Sequence, residues 1–212
     1  MSWEGVAVVI TALGTIIGLF LNFRQHAYNK EKEYELKKRE EDDRLQRERL
    51  AQENREGRNE LKKAAQVIYR ELNKVINSTD ALRAYIIQPH PLDKAKYISV
   101  QYEVLAAGVT SVVENVQRMP IGNVGGFVAE LSSRDFLFWN AEKDVRDGRA
   151  RAMMHNFGTD RMAAMRMMDG EVWLGSLVLD FDLMRDLEAV WLKENMGAAA
   201  NIIKYKLPEI DE

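Results

Sequence analysis

The chain of 212 residues carries 30 Lys and Arg against 33 Asp and Glu, a net charge of −3, and no cysteine. That balance excludes a strongly basic nucleic-acid domain. The missing thiols exclude a disulfide scaffold, a thiolate metal site and a cysteine nucleophile, and agree with a reducing compartment.

Four prolines and an abundance of Ala, Met, Leu, Glu, Lys and Arg predict an all-α chain. No period-2 strand pattern, internal repeat or zinc-like cluster stands out.

The first predicted element is Gly5 to Phe23, an uncharged run of about 19 residues, the length of one membrane-spanning helix. No Lys or Arg precedes it and no cleavage site follows, which argues against a signal peptide. The basic residues Arg24, Lys30, Lys32, Lys37, Lys38 and Arg39 all follow the run. The positive-inside rule then puts the bulk of the chain in the cytoplasm and the N-terminus outside. The expected location is the bacterial inner membrane, and the bilayer is an expected partner. Ala7, Thr11, Gly14 and Gly18 form a stripe of small residues that would admit a second helix, although glycine is also common in membrane helices.

Residues 24–60 read as a charged helical connector. Glu33–Lys37, Glu35–Arg39, Glu40–Arg44 and Asp43–Arg47 are i,i+4 pairs in the favourable order, and Gly57 is the weak point. The leucines at 36, 45, 50 and 61 make no heptad. A solvated spacer about 60 Å long is expected, with contact to anionic lipid as the alternative.

Residues 61–206 read as a cytoplasmic antiparallel helical bundle. Leu61, Ala65, Ile68, Leu72, Val75, Thr79, Leu82 and Ile86 form one heptad seam, which stops at Gln88-Pro89-His90-Pro91. Ile98, Tyr102, Leu105, Val109, Val112, Val116 and Met119 form a second. Gly122 to Gly126 lacks the context of a phosphate loop and reads as a linker. Ser132-Ser133 offers an N-cap for a helix through Phe157, Gly158 breaks it, and a Met-rich helix spans Arg161 to Met168. After Asp169-Gly170, a last long helix is predicted from Glu171 to Tyr205. Residues 207–212 read as an acidic tail.

No catalytic, cofactor or metal residue suggests itself. His26, His90 and His155 lack partners at helical spacing. Asp180, Asp182, Asp186 and Glu188 read as solvated helix charge. Arg149, Arg151, Arg161 and Arg166 interleave with methionines that include Met162 and Met165. That mixture suits a partner or anion surface, or else an irregular core filled by methionine.

Ser2-Trp3-Glu4, the small-residue span and Arg24-Gln25 resemble the opening of a broad group of uncharacterised bacterial single-span membrane proteins. Val172-Trp173 and Arg185-Asp186-Leu187-Glu188-Ala189-Val190-Trp191 are similar to that group's aromatic helices. The resemblance implies one membrane crossing, a helical cytoplasmic domain and a bacterial or phage source. Together these features predict a non-enzymatic, membrane-anchored structural or accessory subunit. It would form a homo-oligomer or join a larger membrane complex, and would bind no nucleic acid and no cofactor. The alternative is a membrane-anchored signalling or defence component with a ligand-sensing helical domain.

Overall fold

The computed structural model describes the backbone of residues 3–92, 94–182 and 187–209, and the side chains of all of these except 3–23, 26–29, 31, 33–36 and 40. The chain divides into two compact units, Met1–Arg58 and Asn59–Glu212.

A single helix, α1 (Trp3–Thr79, 77 residues), supplies the first unit and continues into the second. Residues 41–63 are exposed, and local pairs such as Arg44–Glu48 (3.6 Å) and Lys63–Glu60 (3.1 Å) run along them. Beyond residue 63 the helix turns amphipathic. Ile68, Leu72, Val75 and Ile76 are buried, and α1 ends at Asp80, a residue type that tolerates its φ of +53°.

Among the described residues, no helix is long and apolar enough to cross a membrane. This corrects the expected single-span topology. The inner-membrane location, with the N-terminus outside and the bulk in the cytoplasm, rested on that span and falls with it. The run Gly5–Phe23 lies on the helical backbone of α1, but its side chains are outside the described residues. The same holds for the stripe Ala7, Thr11, Gly14 and Gly18.

The second unit is an α/β domain, which overturns the all-α class and the helical bundle. Among the described residues, six antiparallel strands follow α1: β1 (Arg83–His90), β2 (Tyr97–Leu105), β3 (Met119–Pro120), β4 (Phe136–Asn140), β5 (Arg161–Asp169) and β6 (Val172–Phe181). They form one sheet in the order β3-β2-β1-β6-β5-β4. The helices α2 (Gly125–Ser133), α3 (Gly148–Asn156) and α4 (Ala189–Ile203) join α1.

Most of the predicted helices are strands. The supposed Met-rich helix is β5, and the supposed last helix is β6 followed by α4. The upper part of the first seam, Leu82 and Ile86, belongs to the start of the sheet, and the second seam is β2 plus a 3-10 turn at Val113–Val116. Ser132 and Ser133 close α2 and do not cap a helix start. Asp147 caps α3 instead, accepting from the amides of Arg149 and Ala150 at 3.1 Å each.

The physical reason is burial on both faces. Strand residues alternate between two cores. One core joins Ala84, Ile86, Ala163, Met165, Leu177, Leu179 and Phe181 to α1 and α4. The other joins Tyr85, Ile87, Met162, Ala164 and Val178 to the coils and helices between β2 and β5. A strand flanked by two cores shows a continuous apolar run with no polar alternate, and such a run reads as helix when its residues are Met, Ala and Leu.

Candidate functional site

The sheet face that carries the second core also carries a buried polar cluster. Arg83 and Asp180 face each other in register on β1 and β6, and Leu82 N donates to Asp180 O at 2.7 Å. Parity along the strands puts Arg83, Tyr85 and Ile87 on this face with Val178 and Asp180. Arg83 and Asp180 are each 1 % exposed.

The Asp180 carboxylate is held from three sides. Thr159 Oγ1 donates to Oδ2 at 2.9 Å, Arg83 Nη1 donates to Oδ2 at 3.3 Å, and the Tyr85 hydroxyl donates to Oδ1 at 3.2 Å. Arg83 Nη2 also donates to the Phe157 carbonyl, and its guanidinium lies 5.8 Å from the Phe157 ring centroid. Arg83 Nε is buried and has no hydrogen-bond partner among the described residues.

Burial lifts the Asp180 carboxyl to about 6, only partly offset by Arg83, Thr159 and Tyr85. Burial, and then the Asp180 charge, push the Tyr85 hydroxyl well above its usual range, so it stays a donor.

This cluster forms one end of a cavity of about 50 Å³. The rest of the lining is apolar: Ile87, Ile98 and Met162 from the sheet, Val112, Val116, Met119, Val124 and Phe127 from the coil and α2, and Ala150, Met153, Met154 and Phe157 from α3 and its end. Gly158 (φ +66°) turns the chain after α3, and Thr159 then drops its hydroxyl onto Asp180. The arrangement offers hydrogen bonding at one end and adaptable apolar contact elsewhere. Tyr85 and Thr159 are both committed to Asp180, so neither stands as a nucleophile beside a free base.

The residues expected to form a partner or anion surface fall in different places. Arg149 and Arg151 are exposed on α3, and Arg151 lines an open polar groove of about 800 Å³ with Asn140, Glu142, His155 and Asn156. Arg161 and Arg166 lie at opposite parity on β5, so their side chains leave opposite faces. Arg166 pairs with Asp135 and donates to the Ser132 carbonyl at 2.9 Å. Met162 is fully buried against the cavity, while Met165 packs in the other core beside α4.

Sequence reasoning missed Arg83, Tyr85, Thr159 and Asp180. The available signal was a single acid inside Leu177-Val178-Leu179-Asp180-Phe181, and a single base opening Arg83-Ala84-Tyr85-Ile86-Ile87. A lone charge inside an apolar run is a buried charge that needs a partner.

No protein-family model matches the sequence, and no curated protein does. The fold does match solved structures. The phycocyanobilin-bound GAF domain of a cyanobacterial phytochrome is similar at TM-score 0.56 and 13% identity, over 67% of this chain and 82% of that one. The blue-light absorbing form of the PixJ GAF domain of Thermosynechococcus elongatus matches at 0.55 and 11%, over 69% and 88%. A far-red cyanobacteriochrome photoreceptor matches at 0.54 and 11%, over 77% and 98%. This likeness establishes a GAF-like fold. It overturns the resemblance to single-span membrane proteins. It also overturns the membrane-anchored structural subunit; of the alternative it overturns the membrane anchor and the helical domain, since the chain builds a curled antiparallel sheet where a helical bundle was expected, and leaves the signalling part as a reading to propose.

Proposed function

We propose that residues 59–212 form a non-enzymatic sensory domain that takes up a small, mainly apolar ligand in the Tyr85–Asp180 cavity. The observation that carries this reading is the polar cluster at the end of an apolar cavity, on the same sheet face as the two short helices α2 and α3. An apolar pocket with a few convergent polar groups is the usual form of a small-molecule site. The GAF-like fold of light-sensing domains supports a sensory role.

The cavity restricts the ligand. At about 50 Å³ it is smaller than the roughly 150 Å³ cavity that accepts benzene. The phycocyanobilin bound by the similar phytochrome domain needs far more space. Met119, Met153, Met154 and Met162 line the space, and these unbranched side chains repack readily. Ligand entry therefore works by methionine rearrangement against α3. A shift of the sheet reaches α1 through Ile68, Leu72 and Val75, which pack on the opposite face.

The test is thermal unfolding of the full chain under xenon, an apolar probe small enough for a cavity of this size. Saturating probe is expected to raise the melting temperature by several degrees, as mass action requires for a ligand at about 100 times its dissociation constant. Ala150→Val, which adds two methyl groups to the cavity wall, is expected to abolish the shift while the domain stays folded. A probe that raises both proteins equally would place binding elsewhere and refute this site.

Self-association is the second part of the proposal. Val190, Trp191 and Ile202 on α4, and Tyr205 in the turn just after it, are exposed. Apolar side chains exposed in this way on a helix are a natural isologous contact between two copies. Trp191→Glu with Ile202→Glu is expected to lower the mass measured by light scattering from dimer to monomer. A wild type that is monomeric at micromolar concentration would refute the contact.

A further inference from the structure

Every polar side chain that lines the Tyr85–Asp180 cavity has only acceptor capacity left. Among the described residues these are Tyr85, Thr159 and Asp180. The Asp180 carboxyl titrates at about 6, so at pH 8 it is ionised and can only accept. The hydroxyl hydrogens of Tyr85 and Thr159 are therefore both turned onto it, over 3.2 and 2.9 Å. Each hydroxyl oxygen keeps lone-pair capacity. An ionised carboxylate has about four acceptor positions, and Thr159, Arg83 and Tyr85 fill three. The other lining side chains are Ala, Val, Ile, Met and Phe, none of which carries a donor.

Resting on the reading of this cavity as a ligand site, we infer that it selects small neutral molecules with a hydrogen-bond donor, of the class of short alcohols, over acceptor-only molecules of equal size. The donor meets an unfilled oxygen and the short chain meets the apolar wall. An acceptor-only molecule sets lone pairs against lone pairs. Turning either hydroxyl round to serve it would break that hydroxyl's bond to a buried carboxylate, and bonds to a charged acceptor are the stronger kind.

Charge and size narrow the class further. Arg83 Nη1 lies 3.3 Å from Asp180 Oδ2, with both side chains almost fully buried, so the carboxylate already has its counter-ion. An ammonium would enter as a second buried cation, and a carboxylate ligand would add an anion facing oxygens. A volume of about 50 Å³ is the space of roughly three to five water molecules, which suits a ligand of only a few heavy atoms. Met153, Met154 and Met162 supply wall that adjusts to its chain.

The experiment titrates the full chain at pH 8 with ethanol and with its isomer dimethyl ether, which has the same atoms and no donor. Binding is read from the methyl NMR signals of Met153, Met154 and Met162, with xenon as a third probe. Ethanol is expected to bind tighter than the ether by about tenfold or more, since only ethanol satisfies the oxygens. Asp180→Asn puts an amide donor among them and is expected to narrow the preference to about threefold or less. The same narrowing is expected of wild type at pH 5, where the carboxyl, on which Arg83, Thr159, Tyr85 and Glu103 all act, carries a proton and the cluster has a hydrogen to give. The inference is overturned by an ether that binds wild type as tightly as ethanol at pH 8, or by a preference unchanged at pH 5 or in folded Asp180→Asn. If xenon shifts the methyl signals while ethanol and the ether bind alike, the donor requirement fails and the cavity reading stands. If none of the three shifts them, the cavity reading fails and takes this inference with it.

Discussion

Asp180→Asn is expected to destabilise the domain by about 3–5 kcal/mol at pH 8, the usual cost of removing one partner of a buried ion pair. The reason is Arg83. With the negative charge gone, a guanidinium 1 % exposed is left beside a neutral amide and the Phe157 carbonyl and ring, and its Nε already lacks a partner among the described residues. Arg83→Met is expected to cost a comparable amount, because it strands the carboxylate. The double variant is expected to cost much less than the sum, since neither charge is then left alone. Additive losses in the urea-unfolding free energies would show that the two residues do not act as a pair.

The same residue sets a pH dependence whose sign follows from its shift. Asp180 titrates near 6 in the fold and near the ordinary 3.8 when unfolded. Above both values each state is ionised, and below both each is protonated. Between them only the native state holds the proton, so stability falls as pH rises from about 4 to about 6, by up to roughly 1.4 kcal/mol per pH unit. Burial, helped by the Glu103 charge, outweighs Arg83, Thr159 and Tyr85, which all favour the ionised carboxyl. His90, whose pKa is lowered, contributes in the opposite direction, its stabilisation being lost as pH falls through the region of 6.5 and below. The two are separated by subtraction. The difference between wild type and Asp180→Asn is expected to grow as pH falls from 6 to 4, and a difference flat in pH would refute the shift.

Gly175→Ala carries the second large expected effect. Gly175 lies on β6 at φ +147°, and a Cβ there would meet the Ile87 carbonyl oxygen on β1 at 2.4 Å. That neighbour is backbone in the middle of the sheet, so it cannot swing aside as a flexible side chain would. The loss is expected to be about 3 kcal/mol or more, in the range of overpacking combined with backbone strain. For a domain of this size that is a fall of about 10 °C in melting temperature. Gly170→Ala is the control. Gly170 turns the β5–β6 hairpin at φ +56°, and a Cβ there meets nothing within 4 Å, so only the backbone term of about 1 kcal/mol applies. Equal losses in the two variants would mean that close strand approach at Gly175 contributes nothing.

The strands escaped a sequence reading for a definite reason. In β5, Arg161-Met162-Ala163-Ala164-Met165-Arg166-Met167-Met168 holds residues that all favour helix, and no polar alternate marks a face. Its strand state is decided by hydrogen bonding to β4 on one side and β6 on the other, with a core on each face. Ile98, Tyr102 and Leu105 satisfy a three-four spacing, yet Ile98 and Val100, then Tyr102 and Val104, satisfy the alternation equally well. Short apolar runs do not choose between the two periods.

The candidate site is hidden by the same ambiguity. Read on a helix, Asp180 is one solvated charge among several. Placed on β6 opposite Arg83, it becomes the centre of a buried network whose members lie 97, 95 and 21 residues away in sequence.

What the sequence determined by itself is whatever depends on neighbours a few residues apart. The helical character of residues 41–63 follows from strong helix formers and i,i+4 charge pairs, without any tertiary contact. The chain reversals at Gly158 and Gly170 follow from glycine's access to positive φ, and the turn after His90 follows from the proline beside it. Tertiary structure alone decided whether the segments between those reversals would be helices or strands. Methionine, alanine and leucine accept either state, and only the partner strands and the two flanking cores supply the free energy that selects one.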